Sequence, residues 1–290
     1  MRTFALSLLA APLVSAAASA QQPPVPSKDA YTLFNPTPRE LMREMSTDRP
    51  DTTESPATVD AGHIQVELSF LDFTYDRRSN DRVTTRALAA APVLVKVGLT
   101  NSVDLQIGFD PYTRVRTEDR ATGERETVSG FGDTTVRLKV NLFGNDGVES
   151  TGGWALAVMP FVTFPTARDG LGADGIEGGV IVPASLELCE GWSLGVMGEL
   201  DIVRSADDDR YVFDFVHTVT VAHDVSDRAG VFVEYAGFLS LNDDAGYRAY
   251  ADAGVTYALT PDLQLDCGVR VGLTEASDDF GVFAGMSVRW

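Results

Sequence analysis

Residues 263–273 read LQLDCGVRVGL, and two kinds of side chain alternate in this stretch. The odd-numbered positions are apolar, whereas the even-numbered positions include Gln264, Asp266 and Arg270. A period of two indicates a β-strand whose two faces meet different surroundings. Because charges occupy the middle of the strand as well as its ends, one face must meet a polar environment along most of its length.

The same alternation recurs along the chain from about residue 61. It is clear in HIQVELSF from His63, in VDLQIGF from Val103 and in TVRLKVNL from Thr135. We predict twelve such strands, at about residues 62–75, 85–98, 103–113, 129–143, 153–165, 177–188, 192–203, 211–223, 229–240, 247–258, 263–274 and 280–290.

The connections between these strands alternate in length. Most of those after odd-numbered strands are long and polar, such as residues 114–128, whereas most of those after even-numbered strands are tight, such as residues 189–191. A soluble β-sandwich also alternates, but an even strand number with long loops at one end is typical of an outer-membrane β-barrel. We therefore predict an all-β fold in which residues 61–290 form a twelve-stranded antiparallel transmembrane barrel. This barrel is expected to lie in the bacterial outer membrane.

The start of the chain predicts export. Residues 1–20, MRTFALSLLAAPLVSAAASA, combine one cation, an apolar run and the small residues ASA. This is the layout of a secretory signal peptide, and the run is too short for a spanning helix of about 20 residues.

Residues 21–60 predict a proline-rich periplasmic arm without a core of its own. Within it, Thr37 is a suitable N-cap, Pro38 suits the first helical position and Glu40 completes a capping box. The arm is therefore expected to contain a short helix over about residues 38–45.

The expected helix suggests a gate. Arg39 and Arg43 are four residues apart and would form a basic face, while Leu41 and Met45 share another face. A basic helix beside an acidic lumen is expected to dock in or under the periplasmic mouth and restrict passage, less firmly as salt rises. The alternative, a mobile tether, stays open.

In a barrel the polar face of each strand lines the lumen, because a charge on the lipid face costs about 2–4 kcal/mol at the bilayer midplane. These charges either neutralise each other and plug the lumen or form a polar pathway for a solute. Twelve strands lie between a filled and an open barrel, so we expect a narrow, partly occluded pore. The candidate pore-lining residues are Glu67, Lys96, Asp104, Arg137, Lys139, Glu187, Glu199, Asp201, Glu234, Asp252, Asp266 and Arg270.

The last strand starts at Phe280 and ends the sequence at Trp290. It must pair with the first strand, since an open edge in lipid leaves backbone groups unsatisfied. Phe280 and Trp290 belong to its lipid face, and a terminal aromatic residue on such a strand resembles the signal read by the outer-membrane assembly machinery.

Charge and composition narrow the function. A net charge of −19 argues against nucleic acid as a partner. The three histidines, His63, His217 and His223, show no pattern that would define a catalytic triad. No glycine motif for phosphate and no Cys/His cluster for zinc stands out, so we expect no enzyme, cofactor or metal site.

Several stretches together resemble a known family. They are STDRPDTTESP before the first strand, GFGDTTVRLKVNLF, PFVTFPTA, VFVEYAG and LQLDCGV. Over about residues 46–290 the chain resembles the outer-membrane "transporter" family known as putative MetA-pathway of phenol degradation. The resemblance implies a porin-like barrel in outer-membrane lipid that passes small, aromatic or other hydrophobic solutes without energy input. The alternative is a structural or surface-interaction barrel without transport.

Overall fold

The computed structural model describes residues 27–77, 82–146, 151–168, 170–205, 210–241 and 246–290. The predicted signal peptide lies outside these residues. In the described part, regular structure consists of one 3-10 turn and one sheet of fifteen strand segments. No described helix is long and apolar enough to cross a membrane. The segments are β1 (Ile64–Asp76), β2 (Val83–Ala90), β3 (Val93–Thr100), β4 (Val103–Phe109), β5 (Tyr112–Asp119), β6 (Arg125–Gly130), β7 (Thr134–Phe143), β8 (Trp154–Phe164), β9 (Glu177–Cys189), β10 (Trp192–Arg204), β11 (Tyr211–Ser226), β12 (Ala229–Ser240), β13 (Arg248–Thr260), β14 (Leu263–Gly272) and β15 (Phe280–Arg289).

The sheet closes on itself, because its last segment is hydrogen-bonded to its first. The register of β15 against β1 runs from Gln65 opposite Arg289 to Tyr75 opposite Phe280. A closed antiparallel sheet satisfies its backbone groups internally, which is what lipid surroundings require.

Three of the barrel strands are each interrupted once, so the fifteen segments make twelve strands. The breaks lie at Ala91–Pro92, Asp110–Pro111 and residues 131–133. Proline has no N–H for a ladder bond, and Ala91 has a positive φ of 59°. The two segments of each interrupted strand follow one another along the same neighbours. The predicted twelve-stranded antiparallel barrel is confirmed.

The two faces of the barrel wall differ as the alternation predicts. In β14, Val269 and Val271 are exposed on the outward face, whereas Asp266 is buried on the inward face. The chain's end and the tight turns lie at one end of the barrel, and most of the longer connections lie at the other. Outer-membrane barrels have short periplasmic turns and longer extracellular loops, so the tight-turn end is periplasmic and the long-loop end is extracellular.

Candidate functional site: a lumen occupied by the arm

The arm meets the barrel at the periplasmic rim, where His63 holds it. The His63 ring nitrogens lie 2.7 Å from the carbonyl oxygen of Thr37 and 2.8 Å from that of Trp290. The backbone N–H of Thr37 also donates to the carbonyl of Ala61, at 2.9 Å. The last residue of the chain therefore helps to fasten the arm, while the predicted roles of Phe280 and Trp290 in assembly stay a prediction.

The predicted helix over residues 38–45 is wrong. The chain makes one 3-10 turn at Arg39–Leu41, without a side-chain cap, and is extended at Met42. So short a helix is marginal on its own. Here the backbone N–H of Arg43 donates to the carboxylate of Asp60 instead, at 3.0 Å.

The two candidate gating arginines do not form a common basic face. Arg43 has only 10% of its side chain exposed and lies 3.1 Å from Asp60 and 3.0 Å from the carbonyl oxygen of Asn101. Arg39 leaves 67% of its side chain exposed and reaches Asp262 at 3.5 Å. Their carboxylate partners are different, although Arg289 lies 3.8 Å from Asp60 and 2.8 Å from Asp262 and so links the two places. Arg43 therefore anchors the arm inside the barrel, whereas Arg39 only touches its edge.

Residues 46–60, the plug segment, lie inside the barrel. The carboxylate of Asp48 accepts hydrogen bonds from Lys96 and Lys139, both at 2.6 Å. The backbone N–H groups of Asp48 and Arg49 donate to the Glu67 carboxylate, at 3.1 and 3.0 Å. The plug segment thus meets both signs of lumen charge at one place.

These charges are deeply buried. Lys96 and Lys139 are both 0% exposed, and Lys96 also donates to Glu67 at 2.7 Å. Burial raises the pKa of Asp48, but the two ammonium groups outweigh burial and hold that pKa well below its usual range. Removing one partner of such a buried pair typically costs about 3–5 kcal/mol, because it leaves an uncompensated charge.

A second set of contacts reaches the opposite wall. The Arg49 guanidinium donates to Asp266 at 2.7 Å. The backbone N–H groups of Thr52 and Thr53 donate to Glu234, at 2.8 and 2.7 Å. The plug segment is therefore hydrogen-bonded to strands on different sides of the lumen and is not held along one side alone.

Further lumen charges complete the set. Arg137 donates to Glu54 of the plug segment at 2.5 Å, and Asp104 accepts the backbone N–H of Val59 at 3.0 Å. Hydrogen bonds to carboxylates from charged or backbone donors are stronger than neutral ones. These bonds fix the plug segment along its length.

The strand register puts all twelve candidate pore-lining residues on inward-facing rows, although their role in a pore stays a prediction. Arg270 pairs mainly with Asp252, at 2.9 Å. Glu199 and Asp201 are half-buried and form no hydrogen bond to the described plug segment, and Glu187 is exposed near the periplasmic end of β9. The inward row thus divides into residues that hold the plug segment and an acidic remainder.

The sequence analysis missed an apolar part of the lumen. Met159, Ile181, Met197 and Val216 form a buried cluster on inward faces, with two partly buried rings against it. The signal was present in WALAVMPFVTF, residues 154–164, where both faces are apolar and the alternation fades. Such a run indicates burial on both sides.

A cavity of about 1110 Å³ lies at the periplasmic mouth, beside the arm. Met42 and Met45 of the arm line it, together with Glu190, Asp224 and Gln264 of the barrel. The arm therefore covers only part of the mouth, and a polar vestibule adjoins it.

Three solved bacterial barrels are similar to this chain in structure. The β domain of the Bordetella autotransporter BrkA has a TM-score of 0.50 at 12% identity, covering 79% of this chain and 99% of that chain. The translocator domain of autotransporter NalP from Neisseria meningitidis has a TM-score of 0.49 at 9% identity, covering 79% and 88%. A TodX mutant monoaromatic hydrocarbon channel has a TM-score of 0.41 at 10% identity, covering 78% and 89%. At 12% identity, the likeness to the BrkA β domain shows the fold alone.

No curated protein matches the chain in sequence. A family model, however, matches residues 47–290, which contain nearly all of the plug segment and the whole barrel. By this match the chain belongs to the family described as "Putative MetA-pathway of phenol degradation".

Proposed function

We propose that this protein is a passive outer-membrane channel for small aromatic or other hydrophobic molecules. One observation carries the proposal: one side of the lumen is charged and another side is apolar. The plug segment is held by charged groups such as Lys96, Lys139 and Glu67, whereas the wall around Met159 and Met197 is apolar. An apolar wall gives a flat ring a favourable surface, and the family's name is consistent with such solutes.

The plug segment restricts passage in this proposal. Its ion pairs close the charged side of the lumen, and the N–H of Glu54 also reaches the sulfur of Met197 on the apolar side, at 3.5 Å. A solute from the vestibule at the periplasmic mouth therefore passes along the apolar side when the plug segment shifts there. Passage is downhill, because the proposal includes no energy source.

The arrangement of the histidines supports a channel over an enzyme. His63 is bonded to the arm at the periplasmic rim. His217 lies on the outward face, stacked on Phe215 with ring centroids 5.5 Å apart, and His223 stacks on Trp192 at 4.2 Å. A catalytic site needs its groups within hydrogen-bond reach of one another. His217 and His223 are six residues apart on the outward face of β11, about 20 Å at the spacing of a strand, and His63 is bonded to the arm on the inward side of the rim.

A structural or surface barrel is the second candidate, and the buried ion pairs of the plug segment favour it. Buried charges that neutralise each other stabilise one filled state and need no solute. In that case the lumen would stay shut under all conditions.

Uptake into proteoliposomes tests the proposal with a matched pair of solutes. Phenyl β-glucoside and methyl β-glucoside are both polar enough to cross lipid slowly and differ by an aromatic ring. The channel should pass the phenyl compound faster, and Met197→Gln should reduce that preference, because it places an amide on the apolar wall.

The controls separate the two candidates. Empty liposomes give the leak, and heat-modifiable migration on a gel shows that each variant is a folded barrel. Equal rates for both glucosides would contradict the aromatic preference. No uptake of either solute, by the wild type or by a variant with a loosened plug segment, would support the structural barrel.

A further inference from the structure

Four arginines gather on the extension of the wall formed by β2, β5 and β6. They are Arg86, Arg114, Arg116 and Arg125, and we call them the arginine patch. Among the described residues, Glu118 forms ion pairs with two of them, 3.6 Å from Arg86 and 3.2 Å from Arg125. Four cations against one such carboxylate make a strong local excess in a chain with a net charge of −19.

The strand register shows that the patch faces outward. Phe280 is opposite Tyr75, Tyr75 is opposite Arg86, and Arg86 is opposite Arg116. Directly opposed residues share one face of a sheet. Phe280 is 44% exposed on the outward face of β15 and stacks on Tyr75, with ring centroids 5.4 Å apart. Arg86 and Arg116 therefore continue a row that begins with lipid-facing aromatic rings.

The neighbouring row shows where the membrane boundary lies. Val282 is opposite Phe73, Phe73 is opposite Leu88, and Leu88 is opposite Arg114. The outward surface thus changes from apolar to cationic between adjacent strands. Aromatic girdles mark the interface between hydrocarbon and headgroups, so the arginine patch lies at headgroup level at the extracellular end.

The patch is electrostatically incomplete in the described protein. Arg86 and Arg116 are directly opposed, and like charges in that position destabilise a sheet. No described carboxylate lies within ion-pair distance of Arg114 or Arg116. The Arg86 guanidinium gains some compensation 5.5 Å above the Tyr75 ring. An anion between these side chains would relieve the repulsion.

We propose that the arginine patch binds the phosphate groups of the anionic glycolipid in the outer leaflet, the phosphorylated lipid A of lipopolysaccharide. Arginine presents a planar fork that matches phosphate with two parallel hydrogen bonds. The acyl chains of the same lipid would lie against Phe73, Leu88 and Val282, just below the patch. A lipid fits this place because its charged and apolar parts meet at the level where the protein surface makes the same change.

Binding of lipid A to the purified full-length protein in detergent tests this proposal, with native mass spectrometry as the readout. The wild type should bind diphosphoryl lipid A at least about tenfold more tightly than lipid A without phosphates, as charge-assisted bonds require. Arg114→Gln/Arg116→Gln should reduce this difference to about twofold or less. The matched double variant Arg228→Gln/Arg248→Gln removes the same charge elsewhere and should bind as the wild type does.

Heat-modifiable migration on a gel shows whether the double variants fold. If Arg114→Gln/Arg116→Gln does not fold, the single variant R114Q, at an exposed position, takes its place in the binding assay. Full binding of diphosphoryl lipid A by folded variants of the patch would overturn the proposal. Equal binding of the two lipids by the wild type would overturn it as well. Tight binding of inorganic phosphate would overturn the lipid as the ligand and indicate that the arginine patch binds a free anion. None of these outcomes depends on whether the barrel conducts.

Discussion

Replacing Asp48 with asparagine should release the plug segment from the lumen wall. The carboxylate accepts hydrogen bonds from Lys96 and Lys139, both at 2.6 Å, in a fully buried setting. The Asp48→Asn substitution keeps the size of the side chain and removes its charge, so two buried ammonium groups would lose their shared counter-ion. Lys96 would retain Glu67 at 2.7 Å.

The expected magnitude follows from the cost of breaking a buried pair, about 3–5 kcal/mol. Because Lys96 keeps one partner, we take the lower bound of about 3 kcal/mol. Every 1.4 kcal/mol is a factor of about ten in an equilibrium constant, so the ratio of undocked to docked plug segment should rise about 100-fold.

Amide hydrogen exchange of residues 46–60 measures this ratio directly, since local opening exposes these N–H groups. Exchange there should accelerate about 100-fold in Asp48→Asn, while the barrel strands stay protected. Arg39→Gln is the control, because it removes an exposed pair worth less than about 1 kcal/mol and should change exchange by less than about fivefold. Exchange within threefold of the wild type in Asp48→Asn would refute the buried-pair reasoning.

Two further predictions concern the arm. Arg43→Glu should raise solute flux strongly, because it places a carboxylate against buried Asp60, whereas Arg39→Glu should change flux little; equal effects in the uptake assay would contradict this. Burial, reinforced by Glu234, raises the pKa of Asp51 to about 8, whereas an exposed aspartate titrates near 4. The docked state therefore favours protonated Asp51, and docking weakens as pH rises from about 4 through about 8. Exchange rates divided by the intrinsic, base-catalysed rate give the opening ratio, which should rise between about pH 5 and 8. Asp51→Asn should remove most of that rise, with a remainder from Glu54, whose pKa burial raises to about 7.

The barrel could be predicted from the sequence because lipid imposes a rule on every strand. The expected strand at residues 263–274 is observed at Leu263–Gly272, and the strand expected at 229–240 at Ala229–Ser240. A charge on the outward face would be costly, so the alternation of apolar and polar residues shows which side chains face lipid and which face the lumen. The breaks in three strands were not predicted, and two of them lie at Pro92 and Pro111, inside the strands expected at residues 85–98 and 103–113.

The arm could not be predicted in the same way. A local capping pattern at Thr37–Glu40 indicates a helix, but the chain there is decided by distant partners such as Asp60 and Asn101. The central contact joins Asp48 to Lys96 and Lys139, which are 48 and 91 residues away. No period or spacing in one sequence reports such a pairing, although an excess of lumen charge signals that partners are needed.

The burial of its ion pairs also changes how the docking of the plug segment should respond to salt. An arm held by exposed pairs should loosen as salt rises, because such pairs are screened within a Debye length of about 10 Å at 0.1 M. Among the described ion pairs of the arm, the Arg39–Asp262 contact at 3.5 Å has the most exposed cation, whereas the Asp48–Lys139 pair is out of reach of solvent. Hydrogen exchange of residues 46–60 should therefore stay nearly constant from low to high salt, while exchange near Arg39 increases. A parallel increase in both regions would mean that solvent ions reach the lumen network, and that the plug segment opens as a whole at the rim.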